Sequence, residues 1–336
     1  MNDSAGRRPD DAPESPSVKV LYIAGSGRSG STILCQILGE IDGFFCTGEL
    51  SDFWDRYLAE NRMCACGKDF GACRVWSHII EVGMPGILPS EALDIARLHM
   101  RIARTQQLPL LLVPALRVLV QGRLTGYMTH LGALYRAIRA GTDCRVIVDS
   151  SKFPSYGWIL GQVPGIEFFV VHLVRDPRAV AYSWTRMKDP SPAGDGLETP
   201  RFGPVSSSLR WVSRNVLAEG LWRGDARHYT LLRYEDLVAD PARELTRILK
   251  LIGETPAALP LAGDRVRLGE NHIVWGNRSR FQRGEVELRL DAEWQTQLKG
   301  SSRRIVEAMT WPLIRRYGYT SRIPSSSGSI PPKGPT

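Results

Sequence analysis

The chain has 336 residues, 43% of them hydrophobic and 23% charged. This composition excludes a disulfide miniprotein and a globally disordered chain, and suits one large α/β domain or two modest ones. Forty-three Lys and Arg against 35 Asp and Glu leave a formal charge of +8, which points to an anionic ligand rather than a long nucleic-acid track.

Residues 1 to about 17 and 321–336 are rich in Ser, Pro and Gly or in alternating charge, and read as disordered tails around a domain spanning 18–320. The first predicted strand is Val18–Ala24, followed by a helical pattern over Ser31–Ile41. Residues 60–140 form a long, largely helical insertion between the first and second predicted strands, with helical patterns at Ser90–Thr105 and Arg117–Ala140. Arg145–Asp149, Glu167–Val174 and His228–Arg233 are short apolar runs, the signature of strands buried on both faces. Pro241–Ile252 reads as a late helix, and 186–205, with four Pro and three Gly, as a mobile loop. The alternation predicts an α/β fold: a parallel sheet with a P-loop-like turn and helices on both faces. No internal repeat interrupts it.

The N-terminus lacks an apolar signal core, and the most apolar run, Leu108–Val120, is 13 residues long and contains Pro114 and Arg117. That is short of the roughly 20 residues that span a bilayer. A soluble protein of a reducing compartment, the cytoplasm, is expected. Cys35, Cys46 and Cys144 lie apart in core-like segments and read as small hydrophobes. Cys64, Cys66 and Cys73, with His78 beyond, offer four possible zinc ligands. Their C-x-C-x6-C spacing departs from the usual C-x2–4-C pairs, so a structural loop, with or without an internal disulfide, is the preferred reading and no metal is assigned.

The strongest local signal follows the first strand. Gly25-Ser26-Gly27-Arg28-Ser29-Gly30-Ser31-Thr32 joins a strand to a helix start through a glycine-rich turn, the arrangement that presents backbone N–H groups and a helix dipole to a phosphate. The Gly25-x4-Gly30 spacing is that of a P-loop, with Thr32 as its hydroxyl residue, but Ser31 stands where the lysine belongs. That argues against ATP or GTP hydrolysis, and Arg28 supplies a cation from inside the turn.

GSGRSGSTIL followed by Cys46-Thr47-Gly48-Glu49-Leu50 resembles the start of a 3'-phosphoadenylyl sulfate (PAPS)-dependent sulfotransferase, nearest the bacterial branch related to tyrosylprotein sulfotransferases. The resemblance implies a donor gripped at its 5'-phosphosulfate by Gly27, Arg28, Ser29, Gly30, Ser31 and Thr32. It implies that Arg175, delivered at the end of an apolar strand, and Ser183, eight residues on, hold the 3'-phosphate; the plain alternative for Arg175 is an ion pair with Asp176 at a helix cap. Lys152, three residues after Asp149, either stabilises the leaving oxygen or lines the pocket. Glu49 is the implied general base, with His272 as the alternative, and an N-cap or surface carboxylate as its plain reading.

Arg278 and Arg280 lie in a polar loop, 271–281, where related enzymes close over the nucleotide; a solvated basic loop is the plain alternative. Tyr234-Glu235-Asp236 reads as structural, His172 as a satisfied core histidine, and Trp294 and Trp311 as core residues of amphipathic helices. The implied acceptor is a hydroxyl on a small molecule, carbohydrate or lipid-linked compound, with no nucleic acid. A P-loop kinase or NTPase, and an inactive nucleotide-binding protein, are the rival readings. The oligomeric state is not legible.

Overall fold

The computed structural model describes residues 17–186 and 201–319. Both expected tails and most of the 186–205 segment lie outside the described residues.

Five parallel strands form the main sheet: β1 (Val18–Gly25), β2 (Phe44–Gly48), β3 (Val146–Lys152), β4 (Ile166–Val174) and β5 (Tyr229–Arg233), in the order β2-β3-β1-β4-β5. Helices α1 (Ser31–Gly39), α2 (Arg74–Gly83), α3 (Pro89–Ile102), α4 (Leu108–Leu112), α5 (Pro114–Arg117), α6 (Gln121–Thr142), α7 (Pro154–Leu160), α8 (Pro177–Thr185), α9 (Pro204–Trp222), α10 (Tyr234–Ala239), α11 (Pro241–Leu251), α12 (Trp294–Gln297) and α13 (Gly300–Arg316) surround it. The four anticipated strands are all present, within one to three residues at their ends. β2 was not anticipated. It places the helical insertion between β2 and β3 rather than directly after β1. A second, three-stranded antiparallel sheet, β6 (Leu261–Ala262), β7 (Arg265–Leu268) and β8 (Gly284–Glu287), was also missed. Its strands are two to four residues long, too short for alternation to register.

β1 is central, so both its faces are covered. Val20, Tyr22 and Ala24 join the core beneath the insertion helices, while Leu21 and Ile23 join the core beneath α1 and α11. This is why the strand reads as one apolar run. β1 ends at a close approach: Gly25 lies opposite Leu173 of β4, its φ is 132°, and a Cβ there would run into the Leu173 carbonyl oxygen. Gly25→Ala is therefore expected to cost roughly 2–4 kcal/mol of stability, measured as a lower midpoint in urea unfolding.

Two sequence expectations are corrected here. Cys35 and Cys46 are bonded to each other, with Cα atoms 5.7 Å apart, joining α1 to β2; only Cys144 is the lone buried thiol expected of all three. The eleven-residue separation spans a turn that folds α1 back along β2, a geometry invisible without β2. Trp311 is 55% exposed on α13 with Arg315 over its ring, because the apolar stripe of that helix is carried by Val306, Leu313 and Ile314. Leu108–Val120 breaks into short pieces, and its Val118 and Leu119 face outward. Among the described residues no single helix is long and apolar enough to cross a membrane.

Candidate active site

Open parallel sheets bind ligands beyond the carboxyl ends of their strands, where the strand order reverses. Here β1, β3 and β4 converge on a cavity of about 670 Å³. Nine basic side chains line it against three acidic ones, Glu49, Asp52 and Glu287, so its interior favours a polyanion.

The turn after β1 forms the floor. Arg28 has φ 69° and Gly30 φ 93°, and α1 starts at Gly30 with no side-chain cap. Its first N–H groups are left for a ligand. A Cβ on Gly30 would fall 2.6 Å from Tyr234 Cε2, so only glycine lets the turn lie against that ring. Arg28 Nε and Ser29 Oγ are buried and lack a hydrogen-bond partner among the described residues. In the turn that floors the cavity, both atoms are available to the oxygens of a bound anion. The Arg28 guanidinium stacks over Trp184 at 4.7 Å, and burial holds its pKa below the ordinary arginine value.

Arg175 leaves the end of β4, lies over the Tyr234 ring at 4.8 Å, and donates from Nη1 to the Arg28 carbonyl at 3.2 Å. Its carboxylate neighbour is Asp291, 3.6 Å away. The alternative pairing with Asp176 is not formed: Asp176 accepts from the Arg178 backbone N–H at 2.8 Å as the cap of α8 and grips the Arg178 guanidinium at 2.7 Å. Ser183, two turns along α8, lines the same cavity as Arg175.

On the opposite wall, Lys152 sits with φ 70° at the end of β3. Its Nζ contacts Glu49 Oε1 at 2.5 Å and donates to the Ser150 carbonyl at 2.8 Å. Glu49 ends the β2 segment, its N–H bonded to the Trp275 carbonyl at 3.3 Å. Both line the cavity, so Glu49 is neither a surface carboxylate nor a side-chain helix cap. Asp149 fixes the Lys152 turn: its carboxylate accepts from the Ser151 N–H at 2.7 Å, the Ser151 hydroxyl at 2.6 Å and the Tyr135 hydroxyl.

Burial raises Asp149 to about 6, opposed by those hydrogen bonds and by Lys152. A folded-state pKa above the unfolded one gives a stabilisation that is full below the unfolded value and lost as pH rises through about 6. Wild type should therefore lose stability relative to Asp149→Asn between pH 5 and 7, read from urea unfolding of both proteins across that range.

The late loop closes the site. The Asn277 N–H donates to Thr32 Oγ1 at 3.1 Å, and Gln36 Nε2 donates to the Ser279 carbonyl at 3.1 Å, so segment 276–280 is tied to α1. Arg278 and Arg280 both line the cavity, which excludes a freely solvated loop. Arg280 is also an anchor: it is buried, stacks on Phe281 at 4.3 Å and reaches the Gly276 carbonyl at 3.4 Å.

Sequence reasoning missed the α9 contribution. Arg210 and Arg214 line the cavity, stacked on Phe202 at 4.1 Å and Phe153 at 4.6 Å. Their four-residue spacing, which puts both on one helix face, was the available signal. Asp52 and Arg56, paired at 3.1 Å, were missed as well. Burial chiefly, then Glu49, raises Asp52 to about 6.

His272 does not reach the cavity. Its Nδ1 lies 3.3 Å from Cys73 Sγ and 3.9 Å from Cys64 Sγ, so its candidacy as base is withdrawn. Cys64, Cys66 and Cys73 are free rather than internally bonded, and His78 is exposed on α2 away from them. His172 is a satisfied core residue, bonded to the Tyr229 hydroxyl and Asn215 Oδ1 at 2.9 Å each. Glu235 is structural, accepting from the Asp176 N–H at 3.0 Å and the Tyr319 hydroxyl at 2.7 Å.

Residues 116–256 match the sulfotransferase family. No curated protein matches the chain. Similar solved structures include the sulfotransferase domain of the olefin synthase from Synechococcus PCC 7002, at 23% identity over 89% of this chain and 97% of that one, with a TM-score of 0.45. The sulfotransferase domain from the curacin biosynthetic pathway is 18% identical over 88% of this chain and 99% of that one, with a TM-score of 0.44. Sulfotransferase STF9 from Mycobacterium avium is 12% identical over 90% and 77%, with a TM-score of 0.46.

Proposed function

We propose that the chain, whose residues 116–256 match the sulfotransferase family, moves the sulfuryl group of PAPS to a hydroxyl acceptor within the cavity at the ends of β1, β3 and β4. The observation that carries the reading is the pair of buried, partnerless polar atoms, Arg28 Nε and Ser29 Oγ, in a glycine turn held to Arg175 through the Arg28 carbonyl. A donor with one phosphate in the turn and another at Arg175 and Ser183 meets both needs.

The donor supplies the electrophilic sulfur and the phosphate leaving group. Glu49 takes the acceptor proton as the new S–O bond forms, and Lys152 and Arg28 offset the charge that grows on the departing oxygen. Catalysis is then positioning plus electrostatic stabilisation, as in phosphoryl transfer. Lys152 and Glu49 neutralise each other across 2.5 Å. Drawing Lys152 toward the donor releases Glu49, so the base becomes available when the sulfuryl group is present. The positive field is assigned to side chains and loop amides rather than to a catalytic metal. Arg278 and Arg280 cover the nucleotide, and Arg214, half-buried in the same cavity as Glu49, faces the acceptor side with Phe153 and Asp52. We take 18–320 as the catalytic domain, with 60–140 on the acceptor side.

Isothermal titration with adenosine 3',5'-bisphosphate and with ATP/Mg²⁺ tests the assignment. Preference for the bisphosphate is expected; preference for ATP would replace it with a P-loop kinase or NTPase. Transfer of labelled sulfate to a panel of phenols, sugars and glycolipids then separates an active enzyme from an idle nucleotide binder.

A further inference from the structure

We propose that Cys64, Cys66, Cys73 and His272 bind a structural zinc ion that fastens the late loop to the sheet. The four ligand atoms, three Sγ and one imidazole nitrogen, lie within 4.8 Å of one another. In a tetrahedral site with Zn–S of about 2.3 Å and Zn–N of about 2.0–2.1 Å, a sulfur and a nitrogen stand about 3.6 Å apart. Cys73 and Cys64 lie 3.3 and 3.9 Å from His272 Nδ1, on either side of that value. Three thiols and an imidazole form a donor set that selects zinc over hard cations, and four protein ligands leave no open position, which marks a structural rather than a catalytic centre.

The surrounding backbone has the form of a metal turn. The Gly67 N–H returns to the Cys64 carbonyl at 2.9 Å, with Gly67 at φ 88°. The Cys64 N–H bonds to the Lys68 carbonyl at 2.9 Å, and the Cys73 N–H to the Phe70 carbonyl at 3.1 Å. On the histidine side, Trp76 Nε1 donates to the His272 carbonyl at 2.7 Å. These bonds hold the ligands in place without using their donor atoms, as supporting contacts around metal sites do.

Position gives the site its purpose. The three cysteines belong to the start of the insertion, and the histidine to a segment more than 190 residues later. That segment continues as Ile273, Val274 and Trp275, whose backbone bonds to Ala65, Thr47 and Glu49, and then into Arg278 and Arg280. A metal here joins the Cys loop to the strand that supports Glu49 and to the loop that closes the cavity. The inference stands on ligand geometry and does not depend on the identity of the substrate.

The test uses the full chain, purified untagged and without chelator. Elemental analysis is expected to find zinc at one ion per chain, and exchange with Co²⁺ to give the visible bands of tetrahedral thiolate coordination. Stripping the metal with a chelator should lower Tm by roughly 5 °C or more. Cys144→Ser should keep the ion, His272→Cys should keep it with a cobalt spectrum shifted toward four-sulfur coordination, and Cys64→Ser/Cys73→Ser should lose it. A metal-free wild-type chain that takes up neither Zn²⁺ nor Co²⁺, or one in which two of the three cysteines are bonded to each other by mass spectrometry, overturns the proposal.

Discussion

Glu49→Gln is expected to lower kcat for sulfuryl transfer by about 10²–10⁴-fold, the usual contribution of a positioned general base, while affinity for adenosine 3',5'-bisphosphate stays within about threefold. Glutamine is the informative change because the carboxylate does two things. It lines the cavity, where the proposed reaction uses it as the base, and it holds Lys152 at 2.5 Å. Alanine would leave a buried ammonium without its partner and mix a folding defect with a catalytic one. The amide keeps the side-chain volume and an oxygen for Lys152, and removes the charge that takes a proton. Single-turnover transfer of labelled sulfate, with calorimetry on the bisphosphate, separates the two quantities. An unchanged kcat would remove Glu49 from the base role and direct attention to Asp52, the other carboxylate on that wall.

Arg175→Ala should weaken adenosine 3',5'-bisphosphate by about 10²-fold or more, from the loss of a charge-assisted contact in a desolvated pocket. Adenosine 5'-monophosphate, which lacks the 3'-phosphate, should weaken only a few-fold. The second nucleotide is the control that makes the result specific, because Arg175 also donates to the Arg28 carbonyl. Loosening of the turn affects both ligands, and loss of the 3'-phosphate contact affects one. Arg175→Lys should recover only part of the difference, since a point charge does not reproduce a planar fork. Equal losses for both nucleotides would show that Arg175 only braces the turn.

Much of this site was legible because its parts stand at strand ends. Val18–Ala24 followed by Gly25 and Gly30 marks both a strand and the glycine turn that floors the cavity, and Glu167–Val174 delivers Arg175 by the same logic. The residues that escaped notice have roles set by distant packing. Arg214 matters because α9 crosses Phe153; its spacing from Arg210 marks a basic helix face but not what that face meets. β2 was missed because five residues containing Cys, Thr and Gly carry little strand signal, and with it went the bond between Cys35 and Cys46. His272 was weighed as a base on its chemistry alone, whereas its position beside Cys64 and Cys73 follows from a return of the chain more than 190 residues after that loop. Trp311 shows the converse error: a tryptophan within a helical pattern is not thereby buried when aliphatic neighbours fill the inner stripe.

Arg28 turns its side chain toward Trp184 and its carbonyl toward Arg175, so one residue is shared by both ends of the site. Ordering it from either end prepares the other. A nucleotide with two separated phosphates would then meet the entropic cost of that residue once, and two single-phosphate fragments added together should bind with positive cooperativity.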